Sequence, residues 1–207
     1  MTNIENEVFV HIHTLHDNSH TEKWQVGNTL DFGVNNRFNS FYESITNPYI
    51  DLNREKVFIE NLTRGLCDHH KSQSFENVNM LFLKKGMLNT YVQFTRELVF
   101  EEVRKRLFPE KPSRINSIWL AKVEYIEKWK KTFLDFNLQF KIFLIKFSGK
   151  VHKADGRWLT NIDSPHAFDN YFRHAIAYWT GEIFSEFGEI DEEFVGAGYV
   201  EILREMA

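Results

Sequence analysis

The spacing of apolar residues changes several times along the chain, and each change predicts an element. Val8-Phe9-Val10-His11-Ile12-His13 contains no charge and alternates rings with aliphatic side chains, the pattern of a buried strand. Through Leu30-Asp31-Phe32-Gly33-Val34-Asn35-Asn36 turn residues replace periodicity, which predicts loop with short pieces of strand. A helical spacing then runs from about Leu52 through Val57, Ile59 and Leu62. Gly65 and the polar stretch Asp68 to Asn77 break it, and a second helix is expected beyond. Leu88 to Leu107 is the clearest helix: Tyr91, Phe94, Leu98, Val99, Val103 and Leu107 recur at three- and four-residue spacing, with Glu101, Glu102, Arg104, Lys105 and Arg106 between them. Pro109 and Pro112 end it.

Ser113 to Leu120 reads as a turn entering a strand, and Val123 to Phe133 as a short helix. Phe140-Lys141-Ile142-Phe143-Leu144-Ile145-Lys146-Phe147 is the strongest strand candidate, and Val151 to Ala154 extends it past a bend at Gly149. Pro165 opens a helix through Ala167, Tyr171, Ala175 and Tyr178 that stops at Gly181. Glu193 to Leu203 predicts a last strand pair bent at Gly196 and Gly198. The order of strand, helices, then strands mixed with short helices predicts an α+β fold with a largely antiparallel sheet.

Composition narrows this picture. The 207 residues suit a single domain over 1–207, and 43% hydrophobic with 15% aromatic residues supply a substantial core. A formal charge of −4 without a basic block of five argues against nucleic acid or an anionic membrane surface as partner. No apolar run approaches the roughly 20 residues of a membrane span. MTNIENEVFV lacks the basic and apolar parts of a secretory leader, and the lone Cys67 fits a reducing interior, so a cytoplasmic location is expected.

His11, His13, His16 and His20 suggest metal, since H-x-H on a strand sets both rings on one face. A closed zinc site needs about four ligands, so Cys67, Asp68, His69 and His70 would have to join them, and metal stays a minor alternative. Cys67 near His69 reads as a buried thiol rather than a nucleophile. Gly196-Ala197-Gly198 has too little chain after it for a dinucleotide-binding unit, and neither a phosphate-binding P-loop nor a G-x-S-x-G elbow occurs.

A more specific signal is distributed. Phe9-Val10-His11-Ile12-His13-Thr14 resembles the first-strand motif of the ADP-ribosyltransferase superfamily. Trp24-Gln25-Val26-Gly27-Asn28-Thr29-Leu30 resembles the following loop in its compact rifamycin-modifying branch. The stretch from Arg96 through Pro112-Ser113-Arg114 to Ser117-Ile118-Trp119-Leu120 is similar to the second motif strand and its helix. Glu192-Glu193-Phe194-Val195 is similar to the strand entry that carries the acid. The pattern also resembles a bacterial family grouped with that fold. The second motif position, commonly Tyr, falls on Trp119, and the acid is Glu192, Glu193 or Glu201, with Glu193 preferred because Phe194-Val195 follow it.

The resemblance implies a mostly antiparallel split sheet with a helical segment between the first strand and the second motif. It implies NAD, as substrate, and mono-ADP-ribosyl transfer to an acceptor that the sequence does not name. Glu193 and His11 would be the catalytic pair, and His11, His13, Arg114, Ser117 and Trp119 would hold the dinucleotide. Glu193 would stabilise the oxocarbenium-like centre formed when nicotinamide leaves, and a His would bond the adenosine-side ribose. Trp119 would stack on nicotinamide, and Arg114 would meet the pyrophosphate. The rival expectation is a catalytically silent scaffold or interaction protein of the same fold, as a homodimer through exposed aromatics. One polar cleft shared by His11, Arg114, Trp119 and Glu193 favours the enzyme, and separate burial favours the scaffold.

Overall fold

A computed structural model describes residues 1–15, 23–33, 49–52, 55–58, 92–93, 95–135, 138–159, 168–184 and 190–206. Within them the fold is α+β, with a mostly antiparallel five-stranded sheet and three α-helices. The chain divides into two compact units. The first is Met1–Arg37, Glu97–Thr160 and His166–Ala207, and the second is Phe38–Arg96 with Asn161–Pro165.

The first unit holds the sheet. Strand β1 (Thr2–Thr14) pairs with β6 (Phe140–Asp155), and β6 pairs along its length with β7 (Glu192–Met206). The outer edge of β7 is split: Phe194 to Gly196 pair with β5 (Ile118–Leu120), and Gly198 to Glu201 pair with β2 (Thr29–Phe32). A bridge between Val10 and Ala121 then ties the end of β5 back to β1. Phe143, Ile145 and Phe147 of β6 are completely buried, each contributing about 2–3 kcal/mol by removal from water.

Helix α1 (95–107) has Val99, Phe100 and Val103 in the core and ends before Pro109, whose ring lacks the N–H a further turn requires. A 3-10 turn, Val123–Tyr125, leads into α2 (Ile126–Asp135). Helix α3 (Phe168–Thr180) buries Ala175, Tyr178 and Trp179, and the Trp179 indole donates to the Phe100 carbonyl of α1 at 2.7 Å. Gly181, at φ +81°, stops α3: its N–H meets the Tyr178 carbonyl and the Glu182 N–H the Ala177 carbonyl, the paired closure that a left-handed glycine permits. No helix among the described residues is long and apolar enough to cross a membrane.

Three expectations change. Tyr49–Leu52 and Glu55–Phe58 form the antiparallel hairpin β3–β4 of the second unit rather than a helix start, because β-rich Tyr-Ile and Val-Phe pairs flank a two-residue connection. The tail is one continuous strand, since β6 is long enough to pair with all of it, and its glycines bend it without turning it back. In α1 Leu98 and Leu107 are exposed while Glu97 and Glu101 are buried, a reversal explained by the ion pairs below. The expected helix after Asn77, residues 88–91 and the Pro165 start lie outside the described residues, as do His16, His20, Cys67, Asp68, His69 and His70.

Candidate functional site

Strand alternation sorts the candidate side chains before any single contact is considered. Val195 faces His152 across the β6–β7 ladder, and His152 reaches α3, where its Nε2 lies 3.0 Å from the Tyr178 carbonyl. Glu193 is two residues from Val195 and therefore shares the helix-covered face. Trp119, paired with Val195, lies there too. Phe194 points the opposite way and meets the Phe9 ring at 5.8 Å, so His11 and His13, two and four residues after Phe9, belong to that second face.

On the helix-covered face Arg114 is 5% exposed and organises a buried polar cluster. Its Nε donates to Glu97 Oε2 at 2.9 Å, and its Nη1 donates to the Tyr178 hydroxyl at 2.6 Å and to Glu193 Oε1. The Tyr178 hydroxyl donates to the same Oε1 at 2.6 Å, and Trp119 Nε1 donates to it at 3.3 Å. All the described donors of Glu193 thus converge on one carboxylate oxygen, and none meets Oε2. Burial pulls the Arg114 pKa down, but Glu193 and Glu97 override it and hold the guanidinium well above its ordinary value. Burial, reinforced by Glu193, pushes the Tyr178 phenol well above its own. Next to this cluster Glu101 accepts from Arg104 Nη2 at 2.8 Å and from the Ser113 hydroxyl at 3.0 Å.

The second face is aromatic. The His11 ring stacks on Trp24 at 4.4 Å, His13 lies 5.1 Å from the same indole, and Trp24 in turn stacks on Phe143 at 5.3 Å. Burial pushes the His11 pKa down to about 4, so the ring is neutral at pH 7. Its Nδ1 lies 2.9 Å from the Trp119 carbonyl, which only accepts, so that nitrogen carries the proton. The imidazole is thereby committed to the backbone of β5.

The structure therefore brings Arg114, Trp119 and Glu193 together and sets His11 and His13 across the sheet from them. The single cleft expected for all four residues is not formed, because His11 shares the face of Phe9 and Phe194, whereas Glu193, next to Phe194 in β7, faces the opposite side. Arg114, assigned to a pyrophosphate by resemblance, is spent on two carboxylates and a phenol. Ser117 is buried at 1% exposure outside the cluster. Trp119 is 39% exposed, and the Glu193 side chain is 11% exposed, which makes these two the outward part of the cluster.

Sequence reasoning missed Glu97 and Tyr178. The available signal was the spacing of Glu97, Phe100, Glu101 and Arg104 along one side of α1, which mixes charge into the face that carries Phe100. Among the described residues no group of three His, Cys, Asp or Glu side chains is placed to hold a metal ion.

No curated protein matches the sequence. Residues 9–206, a span from the middle of β1 to the end of β7, match the family described as protein of unknown function, DUF2441, and the chain belongs to that family.

Proposed function

We propose that this chain is a catalytically silent relative of the ADP-ribosyltransferases, acting as an interaction protein built on that scaffold. The observation that carries the reading is the division of the candidate residues by the sheet: His11 and His13 on one face, Glu193 on the other, with Arg114 consumed in holding Glu193. Buried pairs of this kind fix one arrangement of strands and helices, as Glu97, Tyr178, Trp119 and Glu193 are fixed around one guanidinium. A partner, including a second copy of the chain, would meet the exposed Trp119, Val123 and Tyr125, since aromatics are favoured at interface centres.

The test is turnover. Incubation with NAD, followed by chromatography for free nicotinamide and mass spectrometry for an added ADP-ribose, is expected to show neither product above the buffer rate. Nicotinamide release that disappears in Glu193→Gln would overturn the silent reading.

One observation favours the second reading, an NAD-dependent mono-ADP-ribosyltransferase. Among the described residues no donor meets Glu193 Oε2, and the carboxylate lies beside the part-exposed Trp119. In that reading Glu193 Oε2 accepts a hydroxyl of the nicotinamide-side ribose and stabilises the positive charge that develops as nicotinamide departs. Trp119 stacks on the leaving ring, and Arg114 acts as a positioning residue for the carboxylate.

A further inference from the structure

A groove of about 630 Å³ crosses the sheet where β1, β6, β7 and β2 lie side by side, and none of the candidate site residues lines it. Ile4, Gly149, Gly198 and Phe32 form one row across the four strands. The two central positions are glycines at φ +153° and +152°, a backbone region closed to most L residues. A Cβ at Gly149 would collide with the Ala197 carbonyl oxygen, and one at Gly198 with the Ser148 carbonyl oxygen. At this row β6 and β7 therefore approach more closely than a side chain at either position would allow.

Chemistry lines its sides. Tyr199 pairs with Asp31, and Lys150 pairs with both Asn3 and Ala197, a register that sets these side chains on one face. Tyr199 is 61% exposed in the middle of a strand. Neither Asp31 nor Lys150 has an ion-pair partner among the described residues, in contrast to Lys141 and Lys146 on the same strand, which bridge Glu205 and Glu201 at 2.9 Å each. Glu5 adds a second carboxylate to the lining.

We infer that this groove binds a nucleoside: its base stacks on Tyr199, and its ribose diol donates to the Asp31 carboxylate. A flat aromatic face accepts any base, and a carboxylate suits two vicinal hydroxyl donors, the role an acidic residue has on ribose in dinucleotide sites. Asn3 and Lys150 supply donors for the acceptor edge of the base. Two carboxylates against one ammonium disfavour a phosphate, so the uncharged nucleoside binds better than its monophosphate. The volume lies within the roughly 300–1,000 Å³ typical of small-molecule sites.

Titrating the full chain with adenosine, followed by amide ¹H–¹⁵N spectra, tests the assignment. Adenosine should shift the amides of Gly149, Lys150, Gly198 and Tyr199, and Tyr199→Ala should weaken it by about tenfold or more. Replacing adenosine with 2′,3′-dideoxyadenosine should cost a similar factor in the unmodified protein and little in Asp31→Asn, because the diol then has no charged acceptor to lose. Both side chains are at the surface, and the dispersion of the same spectra reports that the variants fold. Shifts elsewhere, no shifts, equal affinity in Tyr199→Ala, or tighter binding of adenosine monophosphate would overturn the inference. None of these readouts depends on Glu193, so its outcome is separate from that of the turnover assay.

Discussion

The two faces of the sheet solve the burial of polar rings and charges in different ways. Beneath α1 and α3, a guanidinium, two carboxylates, a phenol and an indole satisfy one another, with Arg114 as the common partner. Across the strands, His11 and His13 lie against the large ring of Trp24, and His11 loses its charge instead of finding a counter-ion. Burying a charge requires a built network, whereas an imidazole can enter an apolar layer by giving up its proton. The difference teaches that shared position along a strand motif does not imply a shared site.

The largest expected effect comes from breaking the charged face. Arg114→Met leaves Glu97 and Glu193 buried without their cation, and urea unfolding should show a loss of about 3–5 kcal/mol. A loss under about 1 kcal/mol would mean that the two carboxylates are not held as described.

Acid acts on both faces, because each holds a histidine that burial keeps neutral at pH 7. Burial sets both His11 and His152 to about 4, with Lys111 adding to the effect at His152, against roughly 6.5 in the unfolded chain. The unfolded chain therefore takes up protons first. The stabilisation from both is complete above about pH 6.5 and is lost as the pH falls toward 4, on the order of 3 kcal/mol for each ring. Urea midpoints at pH 7 and pH 4.5 should differ accordingly, and His11→Phe should reduce the difference; a variant with an undiminished pH dependence would contradict the burial of His11 as a neutral ring.

The smallest effect is expected at the outward edge of the charged face. Trp119→Phe removes one 3.3 Å hydrogen bond to an oxygen that keeps Arg114 and Tyr178, so a loss of only about 0.5–1 kcal/mol is expected in the same unfolding assay.

Much of the framework was legible from pattern alone. The uncharged alternation at Val8 to His13, the apolar run at Phe140 to Phe147 and the glycine that ends α3 are local signals, and they lie in β1, β6 and at the end of α3. The Arg114–Glu193 encounter was anticipated only as a shared neighbourhood, and the direct ion pair was not. The facing of His11 away from Glu193 depends on how β1 registers against β6 and β6 against β7, a non-local fact that no spacing records. Glu101 reads as one of the charges between the apolar positions and Glu97 is passed over, because the partners Arg114 of Glu97 and Arg104 with Ser113 of Glu101 are set by how the chain turns after Pro109 and Pro112.

The sheet joins strands that lie far apart along the chain. Thr14 pairs with Phe140 and Thr2 with Val151, and β6 then pairs with β7. On a ribosome β1 would emerge long before its ladder partner β6 exists, its hydrogen-bonding groups facing water or a chaperone until β6 has been made. Such distant closure is slow, so the nascent chain must stay soluble through a long wait, a demand that Glu5 and Glu7 near its start help to meet.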